Sequence, residues 1–406
     1  MAVLGALVGV RLLTELLDPA AYGELALGMT VATLVNQTVL GPLGNGVTRF
    51  YAPAVERGDL GGYLNAVRRL VLSATRISAL LMLFAIAGLL IAGRTEWIAI
   101  ATAALIFAIL SGYTSILNGI QNAARQRSIV ALHQGMESWV RFLVAAGFII
   151  WLGATSTVAM VGYAIAVILV LGSQYVFFRR TVHKNATVKD QGSWQEQIWT
   201  YSWPISIFGM FTWGQLASDR WALGLFATTE EVGLYAVLFQ LGYYPMSMAT
   251  GMAMQFLAPI FYQRAGDASD SGRNADVSSL SWRLTGLALG VTGAVFLLAL
   301  LFHAQILQIF VAAEYVSVSH LLPWVMLAGG VFAAGQAIAL NLMSQMKTYT
   351  MMAAKIITAL LGVTFNLAGA YWYGTTGIVI AGILFSVSYF IWMAVLSKYE
   401  GVERCF

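Results

Sequence analysis

Cysteine is all but missing from this 406-residue chain, and its single copy, Cys405, stands next to the last position. That excludes a disulfide framework and any cysteine-based metal site. The four histidines, His133, His183, His303 and His320, show no ligand spacing either, so no metal and no cofactor is expected. Charge is scarce as well: Asp, Glu, Lys and Arg together make up 10% of residues, against about 25% in a soluble domain. Long polar stretches are absent, which leaves no room for a soluble catalytic domain. There is no GxxxxGK[ST] loop, so the chain is not expected to hydrolyse a nucleotide. Nor is there a basic n-region with a small-residue cleavage site at the start, and no secretory leader is read. The modest net charge of +4, spread over the chain, carries no nucleic-acid signature.

What is present is apolar. Hydrophobic residues reach 59% and the mean hydropathy is +0.77. Because backbone groups find no partners in lipid, such a chain spans the membrane as helices rather than open sheet, at about 20 residues per crossing. Hydropathy predicts about twelve segments, near 1–17, 22–47, 70–93, 97–118, 128–152, 156–177, 199–226, 232–262, 284–311, 320–343, 349–372 and 375–397. The first is short, with Arg11 after ten residues and Asp18-Pro19 ending it, so it reads as clipped. The longest connections, around 178–198 and 263–282, have the length of linkers. Pro42, Pro204, Pro245, Pro259 and Pro323 are expected to kink their spans, and "GPLGNG" at 41–46 to loosen the second.

Lysine and arginine give an orientation. With the loop after the second span in the cytoplasm, that side collects Arg49, Arg57, Arg68, Arg69, Arg125, Arg127, Arg179, Arg180, Lys184, Lys189, Arg264, Arg273, Arg283, Lys347, Lys398 and Arg404, while the other side holds Arg94 alone. Both termini are therefore expected in the cytoplasm, in a plasma-membrane protein. The outer side gathers Glu15, Asp18, Glu24, Glu96, Glu230, Glu231 and Glu314.

Three stretches recur in the same order. "LLDPAAYGELAL" (16–27) pairs with "LFATTEEVGLYAV" (225–237), "LNGIQNAARQRS" (117–128) with "LNLMSQMKTYT" (340–350), and "WLGATSTVAMVGYA" (151–164) with "WYGTTGIVIAGILF" (372–385). The fold class expected is an all-α polytopic membrane protein of two parallel six-helix lobes, 1–180 and 199–406, joined by a cytoplasmic linker, 181–198, and related by a pseudo-two-fold axis along the membrane normal. Transporters built this way bind cargo near the midplane.

Five basic residues remain inside spans, Arg11, Arg76, Arg141, Arg220 and Lys355, against two acids, Glu137 and Asp219. An intramembrane charge costs at least about 2.5–3.5 kcal/mol, so it normally faces a cavity or a partner. The basic excess is what an anion crossing the membrane would need. Each charge also has a plainer reading. Arg76 lies two turns from Arg68 and Arg69 and can snorkel to the interface. Glu137 and Arg141, four apart with the acid first, can pair with each other. Asp219 and Arg220 are neighbours about 100° apart on a helix, so each is expected to need its own partner. Asn118, Gln121, Gln215 and Asn341, with Asn36, Gln37, Asn45, Gln240 and Asn366, are candidates for a polar cavity or for hydrogen-bonded helix contacts. Gly5 and Gly9 are spaced for close helix packing.

"RLLTELLDPAAYGELALGMTVATL" (11–34), "SDRWALGLFATTEEVGLYAV" (218–237) and "FVAAEYVSVSHLLPWVML" (310–327) resemble membrane proteins of polysaccharide biosynthesis. These are the lipid-linked oligosaccharide flippases, O-antigen and exopolysaccharide types among them, of the multidrug/oligosaccharidyl-lipid/polysaccharide exporter superfamily. The resemblance implies two lobes in a V around a cationic cavity and a non-enzymatic flippase. Its cargo would be a polyprenyl-pyrophosphate-linked glycan drawn from the membrane lipid. It further implies that Arg141, Arg220 and Lys355 pair with the pyrophosphate while amides bond sugar hydroxyls. Asp219 or Glu137 is the candidate carrier of a coupling proton or sodium ion, and other polysaccharide-assembly membrane proteins are candidate partners. A multidrug antiporter of the same superfamily would favour acids in its cavity. A lipid II flippase is closer in chemistry but usually carries two further spans. A membrane-embedded glycan polymerase would be expected to carry a large outer loop, and a scaffold would not need graded intramembrane charge.

Overall fold

Local signals start and stop the helices. Asp18 caps the helix that opens with Pro19, its Oδ1 accepting from the Ala21 amide at 2.7 Å; Asp59, Thr228 and Asp270 do the same for later helices. The computed structural model describes residues 2–181, 194–266, 270–345 and 348–398. The expected linker lies mostly outside these, as do Lys184, Lys189, Lys347, Arg404, Cys405 and His183. Among the described residues the secondary structure is helical throughout: α1 (Ala2–Leu16), α2 (Pro19–Val35), α3 (Gly41–Glu56), α4 (Leu60–Ile91), α5 (Ile98–Ala123), α6 (Arg127–Leu152), α7 (Ser156–Thr181), α8 (Trp194–Phe226), α9 (Thr229–Leu238), α10 (Tyr244–Ala265), α11 (Ser271–Phe310), α12 (Leu322–Ser344) and α13 (Thr348–Lys398). It is an all-α polytopic membrane fold.

Two rods contain widened π turns, Asn36–Leu40 between α2 and α3, and Phe239–Tyr243 between α9 and α10. Each is followed two residues on by a proline, Pro42 or Pro245. The proline ring cannot accept a normal turn against the carbonyl four residues back, and the extra residue in the turn makes room. "GPLGNG" is therefore continuous helix after a bulge rather than a loosened end. Pro204 sits inside an unbroken α8, and Pro323 lies in the first turn of α12, where its missing N–H costs nothing. The expected kink at Pro323 is thus corrected to a helix start. The stretch 263–282 is not a linker throughout, because Asp270 caps α11 and draws 271–282 into a 40-residue helix. At about 1.5 Å per residue, α11 spans roughly 60 Å, twice the ~30 Å bilayer core. Inside α13, Gly374 (φ 56°, ψ −134°) breaks the helix in two.

Counting α2–α3 and α9–α10 as single rods and α13 as two gives twelve helical rods among the described residues, as hydropathy predicts. By length and apolarity alone, eight helices qualify as membrane spans, α13 counted once. The 15-residue α1 is too short for that test, while α8 and the α9–α10 rod carry more amides, tyrosines and tryptophans.

The chain divides into two compact units, Met1–Trp213 and Gly214–Phe406. In the first, α5 and α7 form the centre, with α1 against α6 and α2–α3 against α5. Gly5 and Gly9 bring α1 onto α6: a Cβ on Gly9 would stand 2.2 Å from the Phe142 ring. The leading part of α8 belongs to this unit, with Trp213 Nε1 donating to the Thr30 carbonyl at 2.7 Å. Its first residue, Trp194, donates to the fully buried Asp59 at 2.8 Å. In the second unit α12 is the most enclosed helix, packed by α10, α11 and α13.

Candidate functional site

In the first unit, three helices turn polar stripes toward a common groove of about 410 Å³. From α3 come Gly41, Gly44, Asn45 and Thr48; from α5 Ser111, Thr114, Ser115, Asn118, Gly119 and Asn122; from α6 Gln134 and Glu137. Steps of three and four residues put each set on one helix face. The π turn contributes to the same region, since Asn36 Nδ2 donates to Ser111 Oγ at 2.8 Å and to the Ala32 carbonyl at 3.3 Å. Behind the wall, Gln174 of α7 donates through Nε2 to Asn118 Oδ1 (2.7 Å) and Gln121 Oε1 (3.0 Å). Gln121 and Gln174 are fully buried. Of the amides expected from sequence, Asn45 and Asn118 line the groove, Asn36 bonds Ser111 beside it, and Gln121 ties α5 to α7.

Arg141 lies one turn beyond Glu137 on α6. Its guanidinium rests over the rings of Phe142 (4.8 Å) and Tyr163 (5.2 Å). Its Nε is buried and, among the described residues, has no hydrogen-bond partner. No ion pair within 4.0 Å joins it to Glu137 among those residues, so the spacing does not become a salt bridge. Arg11 does pair, with Glu15 one turn on, and its side chain is 40% exposed. Arg76 is exposed on α4, a helix that buries little of its apolar length, which suits the snorkelling reading. None of Arg11, Arg76 and Arg141 stands on the groove wall.

The second unit holds a smaller polar pocket of about 50 Å³, with Gln215, Asp219, Tyr235, Tyr243 and Asn366 among apolar neighbours from α12 and α13. That is room for a few waters or a bare ion. Asp219 is 5% exposed, and the Tyr235 hydroxyl from α9 donates to its carboxylate. Arg220 curls back: its Nη1 reaches the Leu216 carbonyl at 3.1 Å and Asp219 Oδ1 at 3.5 Å, with the guanidinium 4.3 Å from the Phe239 ring. The expectation that these neighbours cannot neutralise each other is corrected. The long arginine chain spans the angle that separates the two Cβ atoms, giving a loose contact. Asn366 Nδ2 donates to Ser218 Oγ at 2.8 Å and so holds α13 to α8. Asn341 is buried, its Oδ1 accepting from Gln345 Nε2 at 3.0 Å, and serves α12 locally. Lys355 is half-buried on α13 with no ion pair within 4.0 Å among the described residues.

Sequence reasoning missed Gln134, Ser111, Thr114, Asn122 and Gln174, and the tyrosine that holds Asp219. The stripes on α5 and α6 were findable from helical spacing. Gln174 and Tyr235 lie alone in apolar runs and gave no such signal. No group of three or more His, Cys, Asp or Glu that could hold a metal occurs among the described residues.

Comparison with known proteins gives the context for both sites. The polysaccharide biosynthesis protein family matches residues 2–265. No curated protein matches the chain. Among solved structures, an inward-facing multidrug resistance MATE family transporter of the MOP superfamily superposes with a TM-score of 0.73 at 15% identity, over 99% of this chain and 96% of that one. The lipid II flippase MurJ in an inward closed conformation gives 0.72 at 13% identity, covering 98% and 86%. The Vibrio cholerae MATE transporter VcmN in its bent form gives 0.54 at 15% identity, covering 97% and 98%. At such identities these likenesses establish the fold.

Proposed function

We propose, from the premise that the chain belongs to the polysaccharide biosynthesis protein family, that it flips a polyprenyl-pyrophosphate-linked oligosaccharide from the cytoplasmic to the outer leaflet for cell-surface polysaccharide, of O-antigen, lipopolysaccharide or exopolysaccharide type. It does so without catalysing a reaction, by alternating access of two six-helix lobes, 1–180 and 199–406, in the plasma membrane with both termini cytoplasmic. The observation that carries this reading is the groove of the first unit, an amide- and hydroxyl-lined space on apolar, membrane-length helices. Unpaired amides and hydroxyls facing hydrocarbon would be costly. Facing a saccharide, they meet a ligand whose hydroxyls donate and accept in the same way.

The pyrophosphate belongs with the intramembrane cations Arg141, Arg220 and Lys355. Arg141 keeps a buried Nε unpaired, and Lys355 has no carboxylate within 4.0 Å among the described residues. Guanidinium suits phosphate oxygens through its fixed fork of donors. Asp219, in its enclosed pocket, is the candidate for a coupling proton or sodium ion.

The test is complementation. A cell lacking its own lipid-linked oligosaccharide flippase receives this chain, with surface polysaccharide measured for several repeat units. Restoration by the wild type, reduced at least tenfold in equally abundant Arg141→Ala or Lys355→Ala, supports the reading. Failure with every repeat unit, at normal protein level in the membrane, refutes it. Asp219 supports a second reading, a cation-coupled multidrug antiporter; proton- or sodium-dependent ethidium efflux in the same cells separates the two.

A further inference from the structure

We infer that the groove of α3, α5 and α6 selects the glycan by charge, accepting a neutral or amino sugar and rejecting an acidic one, and that Glu137 sets this choice. The inference rests on the flippase reading above and deepens it.

The wall is unusual in what it omits. Among the described residues its lining holds no lysine, no arginine and no aromatic ring. A pyrophosphate would find no counter-charge there, and a sugar ring would find no face to stack on. Recognition must run through hydrogen bonds to the edge of the saccharide. Asn45, Asn118, Asn122 and Gln134 each carry both a donor and an acceptor group, while the Thr48, Ser111 and Thr114 hydroxyls donate to carbonyls of their own helices and offer the ligand an acceptor. They tolerate any arrangement of hydroxyls and discriminate weakly by themselves.

Glu137 differs from all of them. It is the one ionisable group on the wall among the described residues. Among the described residues its carboxylate makes no ion pair within 4.0 Å; Arg141, one turn further along α6, rests over the rings of Phe142 and Tyr163 and acts on Glu137 only at longer range. An ionised carboxylate only accepts, and its two oxygens suit two adjacent sugar hydroxyls or one ammonium. A uronic acid placed in the same groove would set a second carboxylate beside it with no cation on the described groove lining to share. Like charges juxtaposed in a partly desolvated space are strongly disfavoured. The volume of about 410 Å³ falls in the lower part of the range for small-ligand sites, which suits a short saccharide rather than a whole repeat unit. Glu137 therefore discriminates at one sugar, the one that occupies the groove.

The experiment uses paired repeat units that differ only in having a neutral hexose or the corresponding uronic acid, expressed in the flippase-deficient cell. Surface polysaccharide is normalised to the amount of the chain in the membrane. The wild type is expected to export the neutral unit at least about tenfold better than the acidic one. Glu137→Gln keeps the shape and a hydrogen-bonding oxygen, and should raise export of the acidic unit until the two differ by no more than about threefold. Glu137→Lys should reverse the preference. Equal export of both units by the wild type, or an unchanged ratio in Glu137→Gln, overturns the inference while leaving the flippase reading intact. If the wild type exports neither unit, nor any other, the flippase reading falls, and the groove is judged by calorimetric titration of the purified chain with methyl glucoside and methyl glucuronide. Preference for the glucoside that vanishes in Glu137→Gln upholds charge selection, and equal binding or none overturns it.

Discussion

Replacing Asp219 by alanine should destabilise the folded chain far more than replacing Asp219 and Arg220 together by leucine and methionine. The two side chains are 7% and 12% exposed, with 3.5 Å between Arg220 Nη1 and Asp219 Oδ1. At that distance and an effective dielectric of about 20, the gross attraction is about 5 kcal/mol. Burying two ions costs several kcal/mol each, so the pair as a whole contributes little beyond an apolar pair of similar volume. Removing the carboxylate alone leaves a guanidinium enclosed with one carbonyl, Leu216, and one ring, Phe239. It also leaves the Tyr235 hydroxyl without its acceptor. Breaking one side of a buried pair typically costs about 3–5 kcal/mol, whereas replacing both by apolar groups is often neutral. The assay is reversible unfolding in mixed detergent micelles, run as a double-mutant cycle. Coupling of about 1–3 kcal/mol between the sites is expected. Strictly additive losses, or a loss under about 1 kcal/mol for Asp219→Ala, would refute the claim that the neighbours hold each other. Asp219→Asn, which keeps an oxygen for Tyr235, separates structure from transport. If Asp219 carries the coupling ion, glycan export falls at least tenfold while stability stays within about 2 kcal/mol of wild type.

Gly9→Ala should cost about 1–3 kcal/mol, because its Cβ would stand 2.2 Å from the Phe142 ring and α1 must move off α6; no change in detergent stability would show that α1 is loosely seated. Glu231→Ala should cost about 1.5–3 kcal/mol, since its Oε2 accepts from both the Thr375 amide (2.9 Å) and hydroxyl (2.8 Å). Hydrogen exchange should show the faster opening at the turn after Gly374, and unchanged protection there would count against the contact.

The span pattern was legible because apolar runs of membrane length and the prolines and glycines that interrupt them are local features. Helix starts outside the bilayer were less so: 271–282 is polar enough to pass for a linker, and only the Asp270 cap betrays a helix. The groove was half legible. Asn118 stood out as an amide, whereas Ser111, Thr114 and Gln134 acquire meaning only when α3, α5 and α6 converge. The cations were the reverse case. Arg11 counts by sequence among the cations that an anion could use, although Glu15 stands four positions away, and the structure pairs the two. A charge inside a span announces that something must compensate it, and the identity of that partner depends on packing.

The two units share one contact although the residues that make it stand in different registers. In the first unit Gly153 (φ 114°) separates α6 from α7, and Ser156 Oγ donates to Glu24 Oε2 at 2.5 Å. In the second unit Gly374 (φ 56°) separates the two parts of α13, and Thr375 donates to Glu231. Each unit thus ties the start of its last helix to a carboxylate from an early turn of its second rod. The registers differ, since Glu24 lies six residues after the cap Asp18 while Glu231 lies three after Thr228. That shift is about one helical turn, so both carboxylates emerge on the same side of their rods. What is retained is a contact rather than an aligned residue. The polar interiors differ further: a groove of amides and hydroxyls with one carboxylate, Glu137, in the first unit and an Asp–Arg–Tyr cluster in the second. On the proposed function this asymmetry divides the labour, with sugar hydroxyls read by the first unit and coupling charge held by the second. Substitutions at Glu137 should therefore change which glycan is exported, and those at Asp219 should change how fast any glycan is exported.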